Sequence, residues 1–136
     1  MKILFVCTGN SCRSQMAEGI LKSINPEFKV YSAGIKPEKE ISQYAVKVLK
    51  ETGIDISQQF PKNIEIFNDT QFDYLITFSR IAEEESRKII AKNKLYFDID
   101  DPFDVTGNED EIVKKYREVR DEISKIVIDF IQKKIL

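Results

Sequence analysis

The amino-acid sequence predicts an α/β fold: a four-stranded parallel sheet with helices on both faces, built as a single domain over residues 1–136. Three observations lead there. Short apolar runs alternate along the chain with longer stretches whose apolar positions recur every three or four residues, a pattern that implies βαβ crossovers between parallel strands. A chain of 136 residues is long enough for one domain with a substantial core and too short for two ordinary ones. No internal repeat, low-complexity tract or linker rich in Pro, Gly or Ser divides it.

The elements follow in order. Residues 2–6 (KILFV) are short, apolar and partly β-branched, as a buried strand requires. Residues 14–24 place Met16, Ala17, Ile20, Leu21 and Ile24 on one helical face. A second strand, FKVYSAG, ends at Gly34. Residues 38–52 carry Ile41, Ala45, Val48 and Leu49 as a helical stripe, and Gly53 is a natural stop. Between 54 and 72, Pro61 and mixed polarity predict loops with a short helix. DYLITF, at 73–78, is a third strand, followed by a charged helix over about 80–92 and a short fourth strand, KLYF, at 94–97. An acidic, Pro-containing loop leads to a last helix over about 109–134, with Val113, Tyr116, Ile123, Val127 and Phe130 among its core-facing positions. In such folds ligands sit beyond the carboxyl ends of the strands. The loop after the first strand, the turn at Ser79 and the loop around Asp101 leave those ends with unusual residues, and are expected to meet.

Composition narrows the chemistry. The apolar share of 42% and charged share of 32% are those of a globular protein, and a formal net charge of -2 gives no general basic footprint. Nucleic acid and anionic membrane are therefore not expected partners, and any attraction for an anion has to be local. The chain opens on a strand-like segment rather than a basic region followed by a long apolar one, so a signal peptide is not expected. No apolar run approaches the ~18 residues of a membrane span. The only cysteines, Cys7 and Cys12, share one loop and cannot staple distant parts of a secreted fold; the expected compartment is the cytoplasm. Histidine is absent, which removes Ser-His and Cys-His catalysis and most zinc sites. Two thiols at this spacing match no common metal pattern, so neither metal nor cofactor is expected.

One stretch concentrates the chemistry: VCTGNSCRSQMAEG, residues 6–19, joining the first strand to the first helix. At a helix N-terminus several backbone N–H groups lack partners and the helix dipole favours negative charge. Small residues let Thr8, Gly9, Asn10, Ser11, Cys12, Arg13 and Ser14 curl so that successive amides point inward, a nest for a tetrahedral oxyanion. Gly9 permits a tight backbone and Asn10 tolerates positive φ. Arg13 supplies a planar fork that can clamp two anion oxygens. Cys7 lies at the base of this bowl, where the groups that hold an anion also favour its thiolate and Ser14 can donate to the sulfur. A thiolate beneath a bound tetrahedral anion is poised for in-line attack on the central atom.

This segment resembles the phosphate-binding loop of the low-molecular-weight protein tyrosine phosphatases and of their relatives, the thiol-dependent arsenate reductases. YSAG at 31–34, DDP at 100–102 and YREVRDEI at 116–123 extend the resemblance over nearly the whole chain. It implies a phosphatase-like fold in which Cys7 forms a phosphocysteine, Arg13 and the loop amides stabilise the transferring group, and Asp101 is the general acid. It implies phosphotyrosine protein or small aryl phosphate as substrate, with inorganic phosphate, sulfate or arsenate able to occupy the loop.

The two branches diverge on particular residues. Gln15, in place of the usual proline, and YREVRDEI lean toward the reductases. The thioredoxin-coupled reductases, however, need two further cysteines after the third strand, and the matching positions are Ser79 and Ser86. Arsenate reduction would then use Cys12 or an external thiol, with thioredoxin or glutaredoxin as partner. Phe103, after Asp-Pro, leans toward the phosphatases as an aromatic wall of the substrate slot, with Tyr44 and Ile41 as an opposing wall. Cys12 is expected either to protect the nucleophile through a reversible disulfide, to resolve an arsenic adduct, or simply to pack behind the loop. Lys62 falls where some reductases place a carboxylate that helps bind potassium, together with positions matching Asn10, Glu18 and Ser32; its ammonium can take the cation's place or lie free on the surface. The leading expectation is a phosphomonoester hydrolase, the alternative an arsenate reductase, and the third a non-catalytic oxyanion-binding module.

Overall fold

The computed structural model describes residues 1–135. Four strands, β1 (Lys2–Cys7), β2 (Lys29–Gly34), β3 (Gln71–Thr77) and β4 (Ile90–Tyr96), form one sheet in the order β2-β1-β3-β4, with every neighbouring pair parallel. The helices between and after them are α1 (Arg13–Ile24), α2 (Gln43–Lys50), α3 (Arg80–Glu85) and α4 (Glu109–Phe130), with short 3-10 turns at Ile64–Phe67 and Pro102–Asp104. The α4 axis continues into a single wide turn at Ile131–Ile135. No helix of the described residues is long and apolar enough to cross a membrane.

Strand β1 is central and sets both cores by its period of two. Ile3, Phe5 and Cys7 face α1, α2 and α4, while Leu4 and Val6 face a smaller cluster with Phe72, Ala82 of α3 and Ile89. Ile3, Leu4, Phe5 and Val6 are wholly buried, and each contributes about 1.5–3 kcal/mol of transfer free energy. Phe5 stacks on Phe78 with ring centroids 5.7 Å apart, and Phe130 meets Tyr74 edge-on at 4.8 Å, tying the last helix to the third strand. The register aligns Cys7 with Gly34, so the first loop leaves the sheet beside the end of β2.

Three predicted elements change their bounds. The stripe from 38 begins as helix only at Gln43, because the preceding backbone is bonded to the first loop: Lys36 N–H donates to Thr8 O, Glu38 N–H to Gly9 O and Ser42 N–H to Ser11 O, at 2.9, 2.9 and 2.8 Å. Ser42 then caps α2 through the Ala45 N–H. The charged helix expected over 80–92 ends at Glu85, since the chain must turn to pair Ile90 with Gln71. The fourth strand is accordingly longer than KLYF. It is a sheet edge, where Lys92, Asn93 and Lys94 can face solvent and discourage further pairing.

Candidate active site

The carboxyl ends of β1 and β3 and the loop after β4 converge on one point. Thr8 Oγ1 and Ser79 Oγ lie 3.1 Å apart, and Arg13 reaches the Phe78 and Ile99 carbonyls at 3.4 and 2.9 Å. The three loops singled out by their residues therefore do meet.

The loop from Thr8 to Ser14 is held from behind and open in front. Its carbonyls at Thr8, Gly9 and Ser11 accept from residues 36, 38 and 42, whereas among the described residues no backbone N–H from Thr8 through Ser14 donates to a protein acceptor. Such orphan amides ahead of a helix bind anions. Asn10, with φ of 50°, is the one non-glycine residue of positive φ among those described. It is wholly buried and fully used: Oδ1 accepts from Lys62 N–H at 2.8 Å, Nδ2 donates to Ser14 Oγ at 2.7 Å, and its carbonyl accepts from Gln15 Nε2 at 2.9 Å. Asn10 fills one acceptor site of Ser14 and leaves the Ser14 hydroxyl hydrogen free to point at a Cys7 thiolate, the sulfur lying 2.9 Å away.

Cys7 and Cys12 are both buried and unpaired. Cys12 occupies the position before α1; burial, reinforced by Cys7 and Asp101, pushes its thiol well above the ordinary value. Arg13 is only 4% exposed. Two carbonyls hold Nη1, and Nη2 lies 3.4 Å from Asp101 Oδ2, so part of the guanidinium fork has no protein acceptor. Asp101 is fixed at both oxygens, since Oδ1 accepts from Phe103 N–H at 3.0 Å. Pro102 behind it is buried, while the Phe103 ring is 60% exposed.

A cleft of about 760 Å³ opens at the mouth of the loop, lined by Ser11, Ile41, Tyr44, Phe103, Ile112 and Tyr116 among others. Tyr44 and Tyr116 pack ring to ring at 5.3 Å, and burial pushes the Tyr116 phenol up to about 12.

The full length of the chain decides its family. Residues 2–135 match the family model of low molecular weight phosphotyrosine protein phosphatases. The chain belongs to that family. Within the low molecular weight phosphatase family its sequence relatives include arsenate reductases of Halalkalibacterium halodurans and Bacillus subtilis, each 40% identical over 130 residues, 94% of this chain and 93% of theirs. The solved low molecular weight protein tyrosine phosphatase from T. tengcongensis superposes with a TM-score of 0.81 at 27% identity, covering 98% of this chain and 99% of its own. An arsenate reductase in its oxidized state superposes at 0.82 and 28% identity, covering 97% of each chain. The family fold thus carries both activities among the proteins this chain resembles.

The residues on which the branches were expected to differ are now placed. Ser79 caps α3 through the Ala82 N–H and reaches Thr8; Ser86 is buried at the end of that helix. Lys62 Nζ donates to Phe60 O at 2.6 Å and lies 3.5 Å from Ser32 Oγ, which itself donates to Glu18 Oε1 at 2.6 Å. The ammonium therefore sits among the side chains expected around a cation, and its burial holds its pKa below the usual lysine value. The role of Lys62 N–H in holding Asn10, and of Gln59 in bonding Gln15 at 2.8 Å, was not anticipated. Neither carries a local sequence signal.

Proposed function

We propose that this protein is a cysteine-dependent phosphomonoester hydrolase acting on aryl phosphates such as phosphotyrosine. Cys7 Sγ attacks phosphorus in line, forming an S–P bond as the P–O bond to the leaving group breaks. Asp101 gives its proton to the departing oxygen, and then takes one from the water that hydrolyses the phosphocysteine. Arg13 and the free amides from Thr8 through Ser14 stabilise the equatorial oxygens in both steps. One observation supports this reading: the Asp101 carboxyl is held at both oxygens beside Arg13, and the residues that follow it, Pro102 and Phe103, line a cleft that reaches Ser11 of the anion loop. A pure oxyanion binder needs neither nucleophile nor acid.

A second reading, arsenate reduction, is favoured by the relatives at 40% identity. Cys7 would form a thiol–arsenate adduct, and a second thiol would attack its sulfur, forming a disulfide as two electrons pass to arsenic. Ser79 and Ser86 cannot supply that thiol, so an external thiol such as glutathione, or Cys12, is required for this cycle.

The test is a paired assay on one preparation: an aryl phosphate on one side, and on the other arsenate with thioredoxin or with glutathione and glutaredoxin. The proposal expects aryl phosphate turnover that is lost in Cys7→Ser while inorganic phosphate still binds. Turnover surviving in Cys7→Ser would sink the mechanism. Arsenate-dependent thiol oxidation with feeble hydrolysis would replace the first reading by the second.

A further inference from the structure

The rim of the cleft carries charge that hydrolysis itself does not use. On one side Glu38 donates its backbone N–H to Gly9 O at 2.9 Å, and its side chain covers that glycine. A Cβ placed on Gly9 would lie 3.1 Å from Glu38 Cγ and 3.6 Å from its Oε1. A carboxylate is thereby held against the anion-binding loop. Glu40 lies on the same side of the cleft, with Lys39 between the two. On the other side the 3-10 turn brings Phe103 to the cleft. Among the described residues, Glu38 and Glu40 form no ion pair and together outnumber Lys39, although nearby Asp100 and Asp101 are matched by Lys115 and Arg13.

Unpaired carboxylates at the mouth of an oxyanion site repel an acidic segment next to the phosphate and attract a basic one. The floor between them is apolar and aromatic, with Ile41, Tyr44, Phe103 and Tyr116, and suits a ring rather than a second charge. Taking the phosphatase reading as its basis, we propose that the cleft selects phosphotyrosyl peptides in which Lys or Arg flanks the phosphorylated residue. The ring lies on the apolar floor, and the basic side chains meet Glu38 and Glu40 on the rim.

The experiment compares phosphotyrosyl peptides that differ only in their flanks: Arg, Gln or Glu. Binding to the Cys7→Ser protein is read by fluorescence anisotropy at low salt and at about 0.5 M salt, where the Debye length is only a few Å. Turnover by the unaltered enzyme is read on the same peptides and on a small aryl phosphate. One or two exposed charge pairs predict roughly three- to tenfold tighter binding of the Arg-flanked peptide than of the Gln-flanked one at low salt, with the Glu-flanked peptide weaker still. High salt should erase the ratio. Joint Glu38→Gln and Glu40→Gln substitution should cut it several-fold, and Glu38→Lys with Glu40→Lys should invert the order of Arg and Glu flanks; thermal melts verify that each variant is folded. Equal binding of the three peptides, or a ratio indifferent to both pairs of substitutions, overturns the proposal even if aryl phosphate is turned over. A preserved preference in binding with no hydrolysis of any substrate would instead overturn the phosphatase reading and leave the rim standing. Failure of every peptide to bind Cys7→Ser overturns both.

Discussion

Replacing Gly34 by alanine tests how tightly the anion loop is held. Gly34 ends β2 opposite Cys7, and a Cβ there would meet Asn10 Cβ at 2.8 Å, Thr8 O at 2.9 Å and Asn10 N at 3.0 Å. None of these is the far end of a flexible side chain. Reaching ordinary contact at 3.4 Å requires the loop to retreat by about 0.6 Å at Asn10. Asn10 cannot move alone, because it is anchored to Lys62 and Gln15 and holds the Ser14 hydroxyl that faces Cys7. Overpacking of this kind costs about 1–3 kcal/mol. With an unfolding entropy near 2.1 cal/mol/K per residue, that corresponds to a Tm lowered by roughly 4–10 °C. A displacement of that size at the nucleophile costs roughly ten- to a hundredfold in kcat/KM. Calorimetry and aryl phosphate kinetics on Gly34→Ala measure both, with the affinity for inorganic phosphate as a readout independent of turnover. A variant with unchanged Tm, unchanged phosphate affinity and unchanged kcat/KM would refute the claim that the β2 end braces the loop.

Asp101→Asn should lower kcat by roughly 10²–10³-fold for alkyl or phenyl phosphates, whose leaving groups need a proton, and much less for p-nitrophenyl phosphate; an equal loss on all of them would assign Asp101 a structural role. The Arg117 guanidinium, with Arg120 beside it, pulls the Glu51 carboxyl from 4.5 down to about 2. The stability this lends is present above pH 4.5 and is lost as the pH falls through 2, so a Glu51→Gln variant should melt lower than wild type at pH 7 and converge with it in acid; a constant gap would count against the pairing. Cys12 stays a neutral thiol at pH 7 because it is buried, so iodoacetate should modify the Cys12→Ser protein as fast as wild type and spare Cys7→Ser. Asn108→Ala removes the side chain that accepts from Glu111 N–H at 2.9 Å at the start of α4, and should cost about 1 kcal/mol in chemical denaturation without altering kcat.

What could be read from the sequence was what is local. β1, the anion loop and α1 are contiguous, and their apolar periods, small residues and helix start sit within a single window of the chain. Asp101 and Phe103 were singled out by the resemblance of the Asp-Pro motif to the family's, a motif that is itself short and local. The misjudged elements are those decided by distant partners. Ile41 extends the helical stripe upstream, yet residues 36–42 spend their backbone N–H groups on Thr8, Gly9 and Ser11, so helix begins only after Ser42. Ile90 to Lys92 were read as the end of a charged helix, yet the edge of a sheet tolerates the same charges. The grip of Lys62 on Asn10 spans 52 residues, and Glu38 packs over Gly9 from a separate segment of the chain. Neither leaves a periodicity to detect.

The seating of Arg13 bears on how the protein is made. Its two carbonyl acceptors and its carboxylate partner lie 65, 86 and 88 residues further along the chain. At ribosomal rates of ~5–20 residues per second, roughly 4–17 s separate the synthesis of Arg13 from that of Ile99. During that interval the nascent chain already carries the whole VCTGNSCRS segment, but lacks the Ile99 carbonyl and the Asp101 carboxylate that complete the seat of its guanidinium. A truncated product that stops short of Ile99 is left in the same condition. The complete oxyanion clamp is therefore withheld until Ile99 and Asp101 have been made, and the newborn protein acquires it only as the last strand and the Asp101 turn fall into place.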